Sequence, residues 1–187
     1  MGQYYTPVLK QDAMVTLYNR SIHNSNDWNG AKLMEHSWWD NSFMCAIGSK
    51  IYKHHGQIAW VGDYSNYEDY RKLARKTFKD VPYSKIWGKK PIPEVGIDAS
   101  DFRFDNKFLC NHTKKQYVDL KLYYEQSDAD GWCVNPLSLL CALGNGAGGG
   151  DYSGSHNEVI GTWAWDEISI EDVAPSDSDL LDIYFKE

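Results

Sequence analysis

Gly144-Asn145-Gly146-Ala147-Gly148-Gly149-Gly150-Asp151-Tyr152-Ser153-Gly154-Ser155-His156 and the nearby Gly161 hold seven of the chain's fifteen glycines. Glycine at this density serves backbone that must take positive φ or approach a neighbour closely, at an entropic cost. Upstream, Asn135-Pro136 is a helix cap followed by proline at the first helical position, which opens a short helix through Leu143. Downstream, Glu158 to Trp165 alternates as a strand does. Helix, loop, strand is the expected order. A dinucleotide fingerprint needs strand before and helix after, so the spacing of Gly144, Gly146 and Gly149 does not make one. No Lys-Ser or Lys-Thr follows Gly149, so it is not a Walker loop either. A nest of backbone N–H groups for an anion stays open.

Outward from this crossing, the segments alternate irregularly. Gln3–Leu9 and Ala13–Tyr18 flank a polar turn and read as a hairpin. Ser21 to Gly30 is loop, and Lys32 to Trp38 is expected to be a strand. Asp40 or Asn41 caps a helix whose apolar positions are Phe43, Met44, Ile47 and Ile51, with Gly56 as its stop. Gln57–Val61 is a short strand. Ser65 or Asn66 opens a second helix carrying Arg71, Lys72, Arg75, Lys76 and Lys79 on its solvated face. Residues 81–100, with Pro82, Pro91 and Pro93, form a long connection. Asn106–Asn111 and Gln116–Glu125 form a second hairpin, with Val118, Leu120, Leu122 and Tyr124 on one face. Leu180 to Phe185 closes the chain with a β-like or helical run. The expectation is an α+β fold: a largely antiparallel, aromatic-rich sheet with two or three helices in one domain spanning 1–187.

Composition narrows the classes. Aromatic content rests on eight Trp and thirteen Tyr against six Phe, residues with an apolar body and a polar tip that suit cores and binding faces alike. A net charge of −7 argues against duplex DNA, whose affinity is dominated by phosphate neutralisation. No window approaches a membrane span. Gly2 with Thr6 fits the loose myristoylation template, but only Lys10 is near enough to act as a second anchor, so no membrane attachment is expected. Cys45, Cys110, Cys133 and Cys141 lack paired spacing and read as reduced, buried thiols of a cytosolic protein.

Chemistry-bearing residues are present without a recognisable constellation. The histidines form no His-x-His or His-Glu-x-x-His run, so neither a metal nor a cofactor is expected. Asp63, His112, Asp151 and His156 are the candidates for catalysis should they converge in space, with hydrolysis or nucleotide processing as the reaction class. Cys110 beside His112 is no evidence of a dyad, since such partners meet in space. Gly146, Gly149, Gly150, Asp151, Tyr152, His156, Trp163 and Trp165 are the candidates for ligand binding. Two indoles two residues apart on a strand would share a face beside Gly161. Gly62-Asp63-Tyr64-Ser65 is repeated at Gly150-Asp151-Tyr152-Ser153, but the flanking residues do not align and duplication does not follow.

Met1-Gly2-Gln3-Tyr4-Tyr5, Lys32 to Ser37, Trp60 to Tyr64, Asn111 to Lys115 and Gly144 to Tyr152 together resemble a group of proteins carried by phages, prophages and plasmids of gut-type bacteria. The resemblance covers most of the chain and carries no catalytic motif. It implies a mobile-element protein made in the bacterial cytosol. The leading expectation is a binding protein, an antagonist of host defence that grips a nucleotide-like ligand or a host protein. A hydrolase and a purely structural module are the alternatives.

Overall fold

Strand β1 (Tyr5–Gln11) is an interior strand of the sheet, buried from Tyr5 to Leu9. Near-continuous burial of this kind marks a strand covered on both sides. The structure, a computed structural model, describes residues 2–12, 14–20, 32–39, 41–65, 94–97, 100–127 and 133–185. β1 pairs antiparallel with β2 (Met14–Arg20) from Val8 onward and with β3 (Gly56–Gly62) from Tyr5 to Lys10. Because the β2 ladder begins only at Val8, Pro7 has one flank with no partner strand, which is where a residue without an N–H is tolerated.

The remaining strands are β4 (Glu94–Ile97), β5 (Phe108–Asn111), β6 (Gln116–Asp119), β7 (Ala142–Leu143), β8 (Glu167–Glu171) and β9 (Asp179–Leu180). They complete one sheet in the order β4-β2-β1-β3-β8-β5-β6-β9, with β7 alongside β3. The long ladders are antiparallel, whereas β2–β4, β3–β7 and β6–β9 run parallel. With helices α1 (Leu33–His36), α2 (Ser42–Ile51), α3 (Leu120–Ser127) and α4 (Pro136–Leu140), the fold is α+β and largely antiparallel, as the sequence leads one to expect.

Helix α2 supplies much of the core, burying Phe43, Met44, Cys45, Ala46, Ile47 and Ile51. Its first turn is capped by Asn41, whose Oδ1 accepts from the Phe43 amide at 2.9 Å, satisfying a donor the helix cannot. An aromatic cluster of Trp39, Phe104, Tyr123 and Phe185 packs in tilted, stacked and edge contacts. All four cysteines are free and buried. Among the described residues no helix is long and apolar enough to cross a membrane.

Several local expectations are corrected. Lys32 to Trp38 is not a strand. Leu33–His36 is a single helical turn closed by Lys32 N to His36 Nδ1 and His36 N to Lys32 O. α2 stops at Ile51, and Gly56 instead begins β3. β6 ends at Asp119, whose Oδ1 accepts from the Lys121 and Leu122 amides and turns the chain into α3. Part of the 81–100 connection, Glu94–Ile97, is a strand. The helix expected from Ser65 or Asn66, with its cationic face, lies outside the described residues.

The largest correction concerns Glu158–Trp165. It is a 3₁₀ turn (Asn157–Val159) followed by consecutive turns, and the strand starts only at Glu167. The amides of Thr162, Ala164 and Asp166 bond three residues back, while those of Gly161, Trp163 and Trp165 donate to Leu139 O, Leu140 O and Ile58 O. The second set satisfies two carbonyls at the end of α4 that the helix leaves open. The sequence alternation is real, but it alternates local with tertiary hydrogen bonds rather than two faces of a strand.

Gly161 (φ +74) is required here, since a Cβ would collide with the Ala142 carbonyl, whereas Gly146 (φ +87) has nothing within 4 Å. Gly161→Ala should therefore lower the unfolding free energy by about 3 kcal/mol and Gly146→Ala by only ~1–2 kcal/mol, the left-handed backbone cost alone. Urea midpoints of the two variants check the difference.

Candidate functional site

The glycine loop is folded around its own acid. Asp151 Oδ2 accepts from the Gly146 amide at 2.7 Å and the Gly148 amide at 3.0 Å. Its Oδ1 accepts from the Tyr5 hydroxyl at 2.9 Å. Fully buried Gln3, with its amide nitrogen toward the acceptors, donates to Asp151 Oδ2 at 2.9 Å and to Gly144 O at 2.8 Å. Asn145 closes the loop from the other side, accepting from Tyr152 N at 2.8 Å and donating to Tyr152 O at 2.9 Å. Burial, followed by the neighbouring Asp151 charge, holds the Tyr5 hydroxyl far above its ordinary pKa, so it stays a donor.

This arrangement decides what the loop can bind. An anion nest offers convergent backbone N–H groups, and here two of them already point at a carboxylate of the same chain. The repeated tetrapeptides meet at this place as well. Asp63 Oδ1 accepts from the Tyr4 amide at 3.0 Å, one residue from the Tyr5 that Asp151 holds.

The other proposed ligand residues divide by burial. Gly146, Gly149 and Gly150 are exposed. Tyr152, Trp163 and Trp165 are core residues, 2%, 0% and 3% exposed. Tyr152 OH donates to Ser155 O, and Trp163 Nε1 to Gln116 Oε1. His156 takes a left-handed conformation (φ 54) and sets its ring edge-on to Tyr184 at 4.7 Å.

A second cluster lies at the other end of β3. His55 leads into β3, His112 begins the turn after β5, and β8 runs between those two strands. The two imidazoles stack with centroids 3.9 Å apart and planes 16° from parallel. From β8, Glu167 Oε1 meets His55 Nδ1 at 3.2 Å, and Ser169 Oγ meets His112 Nε2 at 2.7 Å. Ser169 in turn donates to Glu171 Oε1 at 2.6 Å. That last bond uses the serine proton, so the neutral His112 ring must carry its own proton on Nε2. Burial, with a smaller contribution from the His55 charge, lowers the pKa of His112.

The four catalytic candidates do not come together. Asp63 and Asp151 flank the start of β1 beside the C-terminal end of β3, and His112 sits past its N-terminal end, roughly 20 Å away by strand rise. Among the described residues no hydrogen bond or ion pair links His112 to Asp63, Asp151 or His156. Burial pushes the Cys110 thiol up to about 12, so it is no thiolate nucleophile at neutral pH. His55, Glu167, Ser169 and Glu171 were not singled out from the sequence. The signal was available in Glu167-Ile168-Ser169-Ile170-Glu171, whose polar residues recur every second position.

No protein-family model, curated protein or solved structure matches this chain.

Two measurements check these geometries. Asp151→Ala leaves two loop amides and a buried phenol without their acceptor, and should cost about 2–4 kcal/mol in chemical denaturation. The folded state resists protonating His112, so as pH falls through about 6.5 the unfolded chain takes the proton first and stability declines, levelling off below the folded-state pKa. His112→Gln should flatten that part of the stability–pH curve.

Proposed function

We propose that this chain is a binding protein of a bacterial mobile element, acting in the host cytosol, and that it grips a host protein with the glycine loop and the tyrosines beside it. The observation that carries the reading is the seating of Asp151 in the amides of Gly146 and Gly148. It withdraws those amides from an anionic ligand and stiffens an exposed loop, which lowers the entropy lost on binding. Of the two ligand classes expected from the sequence, a nucleotide-like molecule loses support, because its phosphate donors are engaged and both indoles are buried. A protein surface keeps its support.

The loop has a composition suited to that use. Gly, Asn, Ser and Tyr dominate recognition loops, where tyrosine supplies rigid contact area and the small polar residues adapt their hydrogen bonds. Two tyrosines flank the loop. Tyr64, 40% exposed, packs against Gly148, and Tyr184, 39% exposed, receives Ser155 Oγ on its carbonyl. Antagonism of host defence rests on the mobile-element resemblance. The hydrolase alternative has less support, since His112 sits at the opposite end of β3 from Asp63 and Asp151.

The test compares capture by wild type and two surface variants, Ala147→Arg and Tyr64→Ala, from bacterial lysate. Ala147 is exposed at the loop tip, so neither change should shift the melting temperature by more than about 3 °C. The expected result is a specific protein retained by wild type and lost at least tenfold by both variants. Equal retention by all three would remove the loop from the interface.

A further inference from the structure

We propose that His55, His112 and Glu171 form a binding site for a divalent transition-metal ion with zinc-type preferences. One ligand atom from each residue lies within 4.8 Å of the others. The three come from separate positions in the sequence and are assembled by strand register. Gly56 of β3 and Asn111 of β5 both pair with Ile168 of β8, from opposite sides. His55 and His112 are the residues adjoining those two pairs. They therefore bracket β8, and Glu171 lies on the same strand as the Ile168 they flank. His55 and His112 each adjoin the terminal residue of a strand paired to β8, so strand register fixes where both backbones lie.

The hydrogen bonds leave each ring one nitrogen that a metal could use. A ligating histidine characteristically gives its other ring N–H to a carboxylate or similar acceptor, which fixes the tautomer and leaves one nitrogen with a lone pair. His55 Nδ1 is held by Glu167 Oε1, leaving Nε2. His112 Nε2 is held by Ser169 Oγ, which passes the bond on to Glu171 Oε1, leaving Nδ1 of His112 and Oε2 of Glu171. None of these three atoms has a hydrogen bond among the described residues. Ligands at about 2.0–2.2 Å from a tetrahedral ion lie roughly 3.4 Å apart, so closing the site takes side-chain movement that draws the ligand atoms in and turns the stacked rings out of their near-parallel planes. The His55 side chain, 50% exposed, is free to supply it.

The donor set selects the ion. Two imidazoles and one carboxylate favour zinc, cobalt, nickel or copper over magnesium and calcium, which take oxygen ligands. Three protein ligands leave the fourth tetrahedral position for water or for a donor from a bound partner. The site is separate from the glycine loop and stands or falls independently of the loop's role.

The test uses the full chain stripped of metal and titrated with Co²⁺, with Zn²⁺ competition and Mg²⁺ as the control. The expected result is one Co²⁺ per chain with tetrahedral d–d absorption, displaced by Zn²⁺ and unaffected by Mg²⁺. His55→Gln and Glu171→Gln should each weaken binding at least tenfold, while His54→Gln, an exposed neighbour outside the cluster, should not. His55 is half-exposed, so its variant remains informative even if Glu171→Gln fails to fold. No binding, or binding that His55→Gln leaves intact, would overturn the proposal and assign the cluster a structural role or an adventitious ion only.

Discussion

β3 divides one of its edges between two strands. β1 runs along the other edge for nearly its whole length, while β8 takes only Gly56 and Gln57, and β7 takes Trp60 and Val61. Residues between these two contacts serve the crossover, with Ile58 O accepting from Trp165 N. The chain can put two short strands on one edge only if the segment joining them folds out of the sheet. That segment runs from Leu143 to Asp166 and contains the glycine loop, the 3₁₀ turn and both indoles. The glycine density follows from this constraint as much as from any ligand.

The same division sets where chemistry can accumulate. At the β7 end the loop returns to the start of β1, where Asp151 accepts from two loop amides and is itself held by donors from Tyr5 and Gln3. At the β8 end the strand ladder is ending, and side chains from β8 meet those of the residues that adjoin β3 and β5. A self-satisfied loop suits contact through shape, because its hydrogen bonds are already made and little order remains to be lost. A cluster of two imidazoles and a carboxylate with unengaged lone pairs suits coordination. β3 separates the two, so each can be altered without disturbing the other.

What the sequence made legible was what local chemistry decides. The two hairpins, the Asn41 and Asn135 caps and the β3 segment follow from turn residues, capping side chains and apolar runs a few residues long. Asp119 marks the limit of that approach. Val118, Leu120, Leu122 and Tyr124 alternate like a strand, yet Leu120, Tyr123 and Ser127 also fit a helix, and the Asp119 carboxylate tips the choice. Trp163 and Trp165 mislead for a related reason, since their two-residue spacing tracks tertiary hydrogen bonds to α4 and β3. For the candidate site, Asp151 stands out in the sequence as a candidate for catalysis or ligand binding, and in the structure its carboxylate accepts from amides of its own loop. His55 and His112 meet only because β8, far along the chain, runs between their strands, and no local spacing encodes that.

The most direct test of this account is amide hydrogen exchange at Gly146 and Gly148 in the native protein. Both lie on an exposed loop, so unbonded amides there would exchange at close to the intrinsic rate. If Asp151 occupies them as the structure has it, both should be protected at least tenfold, and Asp151→Asn should remove much of that protection. Exchange at the intrinsic rate in the wild-type protein would contradict it, and would return the loop to an open nest awaiting an anion.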